Sequence, residues 1–332
     1  MWYICAFLAI AVILLFRSRL FRHTVLLTKA QYAFAARLWP QAETLYRGAL
    51  ATAPGKPDAN YSRHCRVQLA RIRYRRGDLA EAQALLQESL AGWTPNAPQV
   101  LEDLCIGHVT WGQLCLDQGR YSDAHTHLTT ALQLREKTGN RASMIMELQT
   151  LGDLLLRQED FDEAERVLKR SNETEVQVVH QSLSKQGKDP GTMVVISMSQ
   201  PDVYFSRRQW AEALQAYTEK VVHWEKSLTR PDNVDLGHLQ MRLGAVQERL
   251  DDTAGAIETY RYAACSFERD WTENHPRVAF ALSRLAQALN HAGQSSEART
   301  AAQRALDLFD SNDITSHPEA APCRRVLELP TR

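Results

Sequence analysis

Apolar and small residues recur along most of the chain at the three- and four-residue spacing of packed helices, in blocks separated by short polar turns. Each block has an aromatic residue or leucine near the turn, then an alanine, a bulky residue four positions on and a small residue three further. Seven blocks follow one another at intervals of 40 to 49 residues. A period of this length predicts stacked helix pairs that share one continuous core. The seven anchoring alanines are Ala42, Ala82, Ala124, Ala164, Ala213, Ala256 and Ala298.

A helical stretch with small or apolar residues in step precedes each block, and its small residue is a glycine at Gly112, Gly152 and Gly244. Two antiparallel helices joined by a tight turn approach closely only where small residues face each other. We therefore predict that each small residue lies against the second helix of its pair. Glycines at the turns are expected in the left-handed conformation that ends a helix. They are Gly77, Gly119 and Gly293.

The blocks resemble tetratricopeptide repeats, most clearly at Ala42-Tyr46-Ala49, Ala124-Leu128-Ala131 and Ala256-Tyr260-Ala263. Their spacing exceeds the usual period of about 34 residues. It resembles the longer repeats of kinesin light chains, to which the segment 275–306 is most similar. The resemblance covers residues 23–312. It implies an all-α, right-handed superhelical solenoid of about seven helix pairs. We also predict a C-terminal capping helix, because His317-Pro318 repeats His275-Pro276, and one transmembrane helix before the array.

The pattern divides the chain into five segments. We predict a membrane anchor with a basic flank, four repeats, a polar loop that bends the array, three further repeats, and a capping helix with a tail. The fifth repeat is degenerate because Pro201 stands where its first helix should have a small residue. The segments span residues 1–22, 23–183, 184–193, 194–312 and 313–332.

The N-terminus carries an unbroken apolar run from Trp2 to Phe16, followed by Arg17, Arg19 and Arg22. As a helix the run spans about 22 Å, so the flanking residues must help to cross a hydrocarbon core of about 30 Å. We predict a single-pass anchor with the repeat domain on the cytoplasmic side, because basic residues follow the run. An uncleaved export signal and a buried N-terminal helix stay open as alternatives.

Charge and motifs exclude several classes of function. The chain has 39 basic and 39 acidic side chains, so no overall field attracts nucleic acid. Its six cysteines form no CxxC pair, which is typical of a reducing compartment. Phosphate-loop, HExxH and GxSxG motifs are absent, and His125 and His127 point to different faces of a helix. We predict no enzyme activity, no catalytic residue, no metal and no cofactor.

In proteins with tetratricopeptide repeats, the first helix of each pair lines a concave groove that contacts extended or helical peptide segments. Arg71 and Arg75 share one face of a helix within a segment that has six arginines from Arg63 to Arg76. Arginine suits carboxylates, so an acidic peptide is the expected ligand there. A solvated charged face, or contact with lipid headgroups, stays open. The resemblance places these residues in the groove: Arg71, Arg75, Gln113, Asp117, Gln149, Asp153, Met241, Gln287 and Asn290.

The pattern as a whole favours a membrane-tethered scaffold or adaptor that binds other proteins and helps to assemble a membrane-associated complex. One alternative is a permanent accessory subunit of a larger membrane complex. A second is a regulatory protein that senses a peptide or small ligand, which requires a closed, ring-like array. The identity of the partner does not follow from the fold.

Overall fold

The computed structural model describes residues 19–53, 60–91, 98–186, 199–226 and 236–328. Within these ranges the chain forms fifteen α-helices and no strand. The helices are α1 (Arg19–Ala35), α2 (Trp39–Thr52), α3 (Asn60–Arg75), α4 (Leu79–Leu90), α5 (Pro98–Asp117), α6 (Tyr121–Thr138), α7 (Arg141–Arg157), α8 (Phe161–Lys185), α9 (Gln200–Ser206), α10 (Trp210–Lys226), α11 (Leu236–Arg249), α12 (Thr253–Asp270), α13 (Pro276–His291), α14 (Ser295–Ser311) and α15 (Ala320–Glu328).

The chain separates into two compact units, Met1–Thr110 and Trp111–Arg332, and the boundary falls inside α5. In the first unit, α1 packs on α2 and α3 on α4. Tyr46 is the largest side chain in the centre of this packing, and Ala30, Ala49 and Ile72 are buried around it. The predicted bend at 184–193 lies largely outside the described residues.

In the second unit, each helix from α6 to α14 packs on the next one along the chain, and α15 covers α13 and α14. The alanines at the start of each second helix are fully buried, as at Ala124, Ala164 and Ala256. The unit has a core around α6 to α11 and another around α12 to α15. The all-α fold of stacked pairs is therefore confirmed.

The turns have the geometry that the sequence predicts. Gly77, Gly119 and Gly293 have φ values of 81°, 74° and 76°. Where the sequence lacks a glycine at the turn, Glu159 and Asp251 adopt the same left-handed conformation. The conformation is thus imposed by the close packing of each pair, and glycine only makes it less costly.

The predicted close approach of paired helices is also present. A Cβ atom added to Gly112 would lie 2.7 Å from the Leu128 side chain, and one added to Gly244 would lie 2.6 Å from the Tyr260 ring. Both distances are well inside van der Waals contact. An alanine at either position would therefore require the facing side chain to shift.

Replacing Gly244 with alanine is expected to destabilise the protein by about 1–3 kcal/mol, because the new methyl group overpacks the core against Tyr260. Gly48 is the matched control, because a Cβ there meets Leu26 at an ordinary 3.5 Å. Gly48→Ala should stabilise its helix by up to about 1 kcal/mol through helix propensity. Urea unfolding of both variants checks the prediction, and equal shifts in the same direction would contradict it.

The predicted membrane anchor is not supported. Among the described residues, no helix is long and apolar enough to cross a membrane. The first described helix, α1, instead carries Arg19, Arg22 and Lys29 and buries Ala30 and Ala33 in the first unit. The apolar run Trp2–Phe16 lies outside the described residues. The assignment as a single-pass membrane protein with a cytoplasmic repeat domain is thus wrong.

Candidate functional site: a closed groove in the second unit

The second unit closes on itself through an ion pair between residues far apart in the sequence. Arg277, at the start of α13, donates from Nε to Oδ2 of Asp117, at the end of α5, over 3.1 Å. Neither side chain is more than 6% exposed. The guanidinium also stacks on the Trp271 ring, 4.0 Å from its centroid. The helix that begins this unit, α5, is therefore in direct contact with α13, the first helix of its last pair.

A second contact closes the unit beside the first. A Cβ atom on Gly119 would lie 2.8 Å from Pro318, so the turn after α5 and the segment before α15 touch. His317 stacks on Phe280 of α13 at 4.6 Å and on Phe309 of α14 at 5.5 Å. Its Nδ1 accepts a hydrogen bond from the backbone N–H of Glu319. The histidine thus fills the joint between the two ends as a neutral aromatic ring.

Acidification is expected to weaken this joint. Burial lowers the pKa of His317 to about 4, and nearby Arg157 lowers it further, against the opposing effects of Glu319 and Asp117. The unfolded chain, with a pKa near 6.5, binds the proton first. Stability is therefore full above about pH 6.5 and falls by about 3 kcal/mol as the pH drops towards 4. Urea unfolding at a series of pH values measures the loss, and His317→Asn should lack it. An equal slope in that variant would assign the loss to other groups.

A third contact joins α7 and α11. Asp153 accepts a hydrogen bond from Nε of Arg157 over 3.0 Å and another from Arg242. Burial alone would raise the pKa of Asp153, but the two guanidiniums hold it well below its usual range. Asp153 is therefore ionised at neutral pH, and it links two first helices that are 89 residues apart in the chain.

Other polar side chains continue from these contacts. The Tyr260 hydroxyl donates to Glu248 over 2.9 Å, and Arg284 donates to Glu319 over 2.9 Å. Burial raises the pKa of Glu248, against the hydrogen bond from Tyr260 and the charge of Arg284. Burial raises the pKa of Tyr121, and the nearby charges of Glu319 and Arg284 also act on it, with opposite signs. Polar pairs with charges of both signs thus connect neighbouring segments of this unit.

The structure brings two of the sequence-predicted groove residues, Asp117 and Asp153, into the contacts that close the unit. Gln149 donates to Ser199 over 3.4 Å, and Gln287 donates to the carbonyl of Ser283 over 3.2 Å. Met241 packs on the C-terminal core. The half-buried residues Gln113 and Asn290 also lie on first helices of their pairs, α5 and α13.

Arg71 and Arg75 lie in the first unit. The guanidinium of Arg71 stacks 4.5 Å from the Phe34 centroid and donates to Gln68, while that of Arg75 stacks 5.1 Å from the Trp39 centroid. The predicted basic face thus covers aromatic rings of the preceding pair. Whether it also binds an acidic peptide stays a prediction.

Sequence reasoning missed the basic partners in the second unit. Arg157 was detectable, since it follows Asp153 by four residues on one helix face. Arg242 and Arg277 pair with residues 89 and 160 positions away. No local pattern signals such a pairing. Among the described residues, no group of His, Cys, Asp or Glu side chains is arranged to hold a metal ion.

The closed stack of helix pairs defines a class of protein, the α-helical repeat proteins. The tetratricopeptide repeat family matches residues 103–173, from within α5 to within α8. No curated protein sequence matches the chain. Residues 103–173 therefore match tetratricopeptide repeats, and the described helices on either side of them pack in the same pairwise manner.

Solved structures with the same fold cover most of the chain. A Rap protein complexed with Competence and Sporulation Factor has 13% identity and a TM-score of 0.62, with 92% of this chain and 86% of that chain covered. NprR in complex with its cognate peptide NprX has 13% identity and a TM-score of 0.60, with 92% and 82% covered. The apo form of the quorum sensor NprR from B. thuringiensis has 14% identity and a TM-score of 0.50, with 92% and 80% covered. At these identities the likeness concerns the fold.

Proposed function

We propose that the second unit is a regulatory module that binds a peptide segment in its closed groove. The observation that carries the proposal is the buried contact between Asp117 and Arg277, which brings the two ends of the array together. A closed array surrounds an extended peptide, whereas an open one offers only a shallow face. The sensing alternative raised by the sequence requires this closure.

The lining of the groove supports a peptide as the ligand. Half-buried amides at Gln149 and Gln287 supply both donors and acceptors, which an extended backbone needs. Charged pairs such as Arg284–Glu319 leave part of each side chain exposed, so they can exchange partners with a bound segment. Two structures with this fold, the Rap and NprR complexes, are described with a bound peptide or signalling factor.

Selection of peptides from a random phage-displayed library on the full-length chain tests this function, followed by fluorescence anisotropy with the selected sequences. Gln287→Ala on α13 should weaken binding about tenfold, as expected for a lost hydrogen bond in a buried site. Gln303→Ala is the matched control, because Gln303 is exposed on the second helix, α14. Failure to select any peptide, or equal loss in both variants, would contradict the groove as the binding site.

The scaffold interpretation of the sequence stays compatible with this module, since a peptide segment of a larger protein would bind in the same way.

We further propose that Arg71 and Arg75 provide a second binding face in the first unit, and that this face binds acidic peptides. Arg71→Glu/Arg75→Glu should abolish binding of acidic peptides to that unit, whereas Arg166→Glu on α8 should not. Helices of 16 to 20 residues in α5, α6 and α13 support the proposal that the repeats are of the long, kinesin-light-chain-like variety.

A further inference from the structure

Asp153 lies between two arginines that belong to different first helices of the second unit. Arg157 follows it by one turn on α7, and Arg242 reaches it from α11. Arg242 also donates to the backbone carbonyl of Asp153 over 3.3 Å. Each carboxylate oxygen of Asp153 thus accepts a hydrogen bond from a different guanidinium, and charge-assisted hydrogen bonds of this kind are also how arginines bind carboxylate ligands.

The two guanidiniums are positioned by aromatic rings as well as by Asp153. Arg157 lies 5.6 Å from the Phe280 centroid, and Arg242 lies 5.3 Å from the Phe205 centroid. Cation–π contacts of this kind keep a guanidinium over its aromatic ring, whichever group accepts its hydrogen bonds. Both arginines should therefore keep their positions when the carboxylate of a ligand takes the place of the Asp153 carboxylate.

Solvent reaches this cluster. The side chains of Asp153, Arg157 and Arg242 are 21%, 19% and 16% exposed, so they are neither free in water nor sealed in the core. The buried pair Asp117–Arg277 in the same unit, by contrast, is at most 6% exposed. A ligand in the groove can thus contact the arginines around Asp153 without unfolding the helices.

The other charged groups near this cluster have partners of their own. Asp202, close to Arg242, accepts a hydrogen bond from the Tyr217 hydroxyl. Lys220 on α10 lies near Asp202 and Glu175. His238 on α11 lies near Asp153. Asp153 is therefore the carboxylate most directly shared by both arginines.

We propose that Arg157 and Arg242 form the binding site for a carboxylate of the peptide ligand, and that Asp153 competes with the ligand for this site. The inference rests on the proposed function and specifies its chemistry. Asp153 acts as an internal substitute for the ligand carboxylate, which sets a threshold for binding. An acidic side chain and a C-terminal carboxylate share this chemistry.

Two substitutions in the cluster should change the affinity for carboxylate peptides in opposite directions. Asp153→Asn keeps the size of the side chain but removes the competing charge, so affinity for carboxylate peptides should rise about tenfold. Arg242→Gln removes charge-assisted hydrogen bonds, so affinity should fall about tenfold. A purely structural role for the cluster would weaken binding in both variants. Asp251→Asn, at an exposed turn after α11, is the matched control and should have no effect.

The test uses three pools of N-acetylated random dodecapeptides and the full-length protein, with retained peptides quantified by mass spectrometry. One pool has a fixed glutamate and an amidated C-terminus, the second has glutamine at that position and an amidated C-terminus, and the third has glutamine and a free C-terminal carboxylate. Apart from the fixed glutamate of the first pool, no position in any pool is aspartate or glutamate. Preferential retention of the first pool assigns the acidic side chain as the source, and preferential retention of the third assigns the C-terminus.

The outcomes separate this inference from the function on which it rests. Equal retention of all three pools, or weaker retention by Asp153→Asn, would overturn the carboxylate site while leaving peptide binding intact. Retention of no pool by the wild type or by any variant would overturn peptide binding itself. If Arg242→Gln does not fold, as judged by its thermal unfolding, Asp153→Asn still decides the question by the sign of its effect.

Discussion

Asp117→Asn is expected to destabilise the protein by about 3–5 kcal/mol, which is among the largest effects of any single substitution in the chain. The change removes the carboxylate from a buried ion pair, and removing one partner of such a pair is costly. The same pair joins α5 to α13, so its loss should also loosen the closed groove and reduce peptide affinity. Urea unfolding measures the first effect, and anisotropy with a selected peptide measures the second.

A double-mutant cycle with Asp117→Asn and Arg277→Gln isolates the contact. The combined variant should be more stable than the sum of the single losses predicts, because two neutral amides do not leave an isolated charge. Arg261 and Glu297 serve as the control pair, since their side chains are 48% and 61% exposed. Breaking that pair should cost less than about 1 kcal/mol. Strict additivity for Asp117 and Arg277 would show that the contact is not energetically coupled.

The sequence predicts contacts within a helix pair well and contacts between distant pairs poorly, because only the former join residues that are close in the sequence. Gly112 and Gly244 could be assigned to close helix contacts because a helix pair is a local unit of about forty residues. The turn glycines could be assigned because left-handed geometry depends on the last turn of one helix. Such features recur in several of the seven blocks, so each instance supports the others.

Closure of the second unit has no such local origin. It results from small rotations accumulated over successive pairs, and the repeat pattern does not fix their sum. Asp117 and Asp153 could be predicted as groove residues from their places in the first helices. Their partners Arg277 and Arg242 could not, because only the accumulated curvature brings them together.

The wrong anchor assignment and the prediction of a basic binding face near the N-terminus rest on the same kind of reasoning. Both treated residues as if they faced solvent or lipid before the neighbouring helix was considered. Arg71 and Arg75 gave a basic face in the sequence, but Phe34 and Trp39 of the preceding pair lie beneath them. Arg22 was assigned to the flank of an anchor, but it belongs to α1, which packs on α2.

Removing one partner of the ion pair between Arg135 and Glu147 is expected to have an effect as large as that at Asp117. Arg135 of α6 donates to Glu147 of α7 from Nε over 2.9 Å and from Nη2 over 2.8 Å, and both side chains are at most 1% exposed. Glu147→Gln removes one charge of this buried pair and should cost about 3–5 kcal/mol. Urea unfolding measures the change.

Replacing both members should reverse most of that loss. Arg135→Met/Glu147→Leu fills a similar volume with apolar atoms and removes both buried charges, so its stability should match or exceed that of the wild type. This pair joins consecutive helices that a short turn already holds together, so peptide affinity should not change. An apolar double variant as unstable as Glu147→Gln would mean that the pair itself sets the packing of α6 on α7. Loss of peptide binding in a stable double variant would mean that the groove depends on contacts outside the residues that close it.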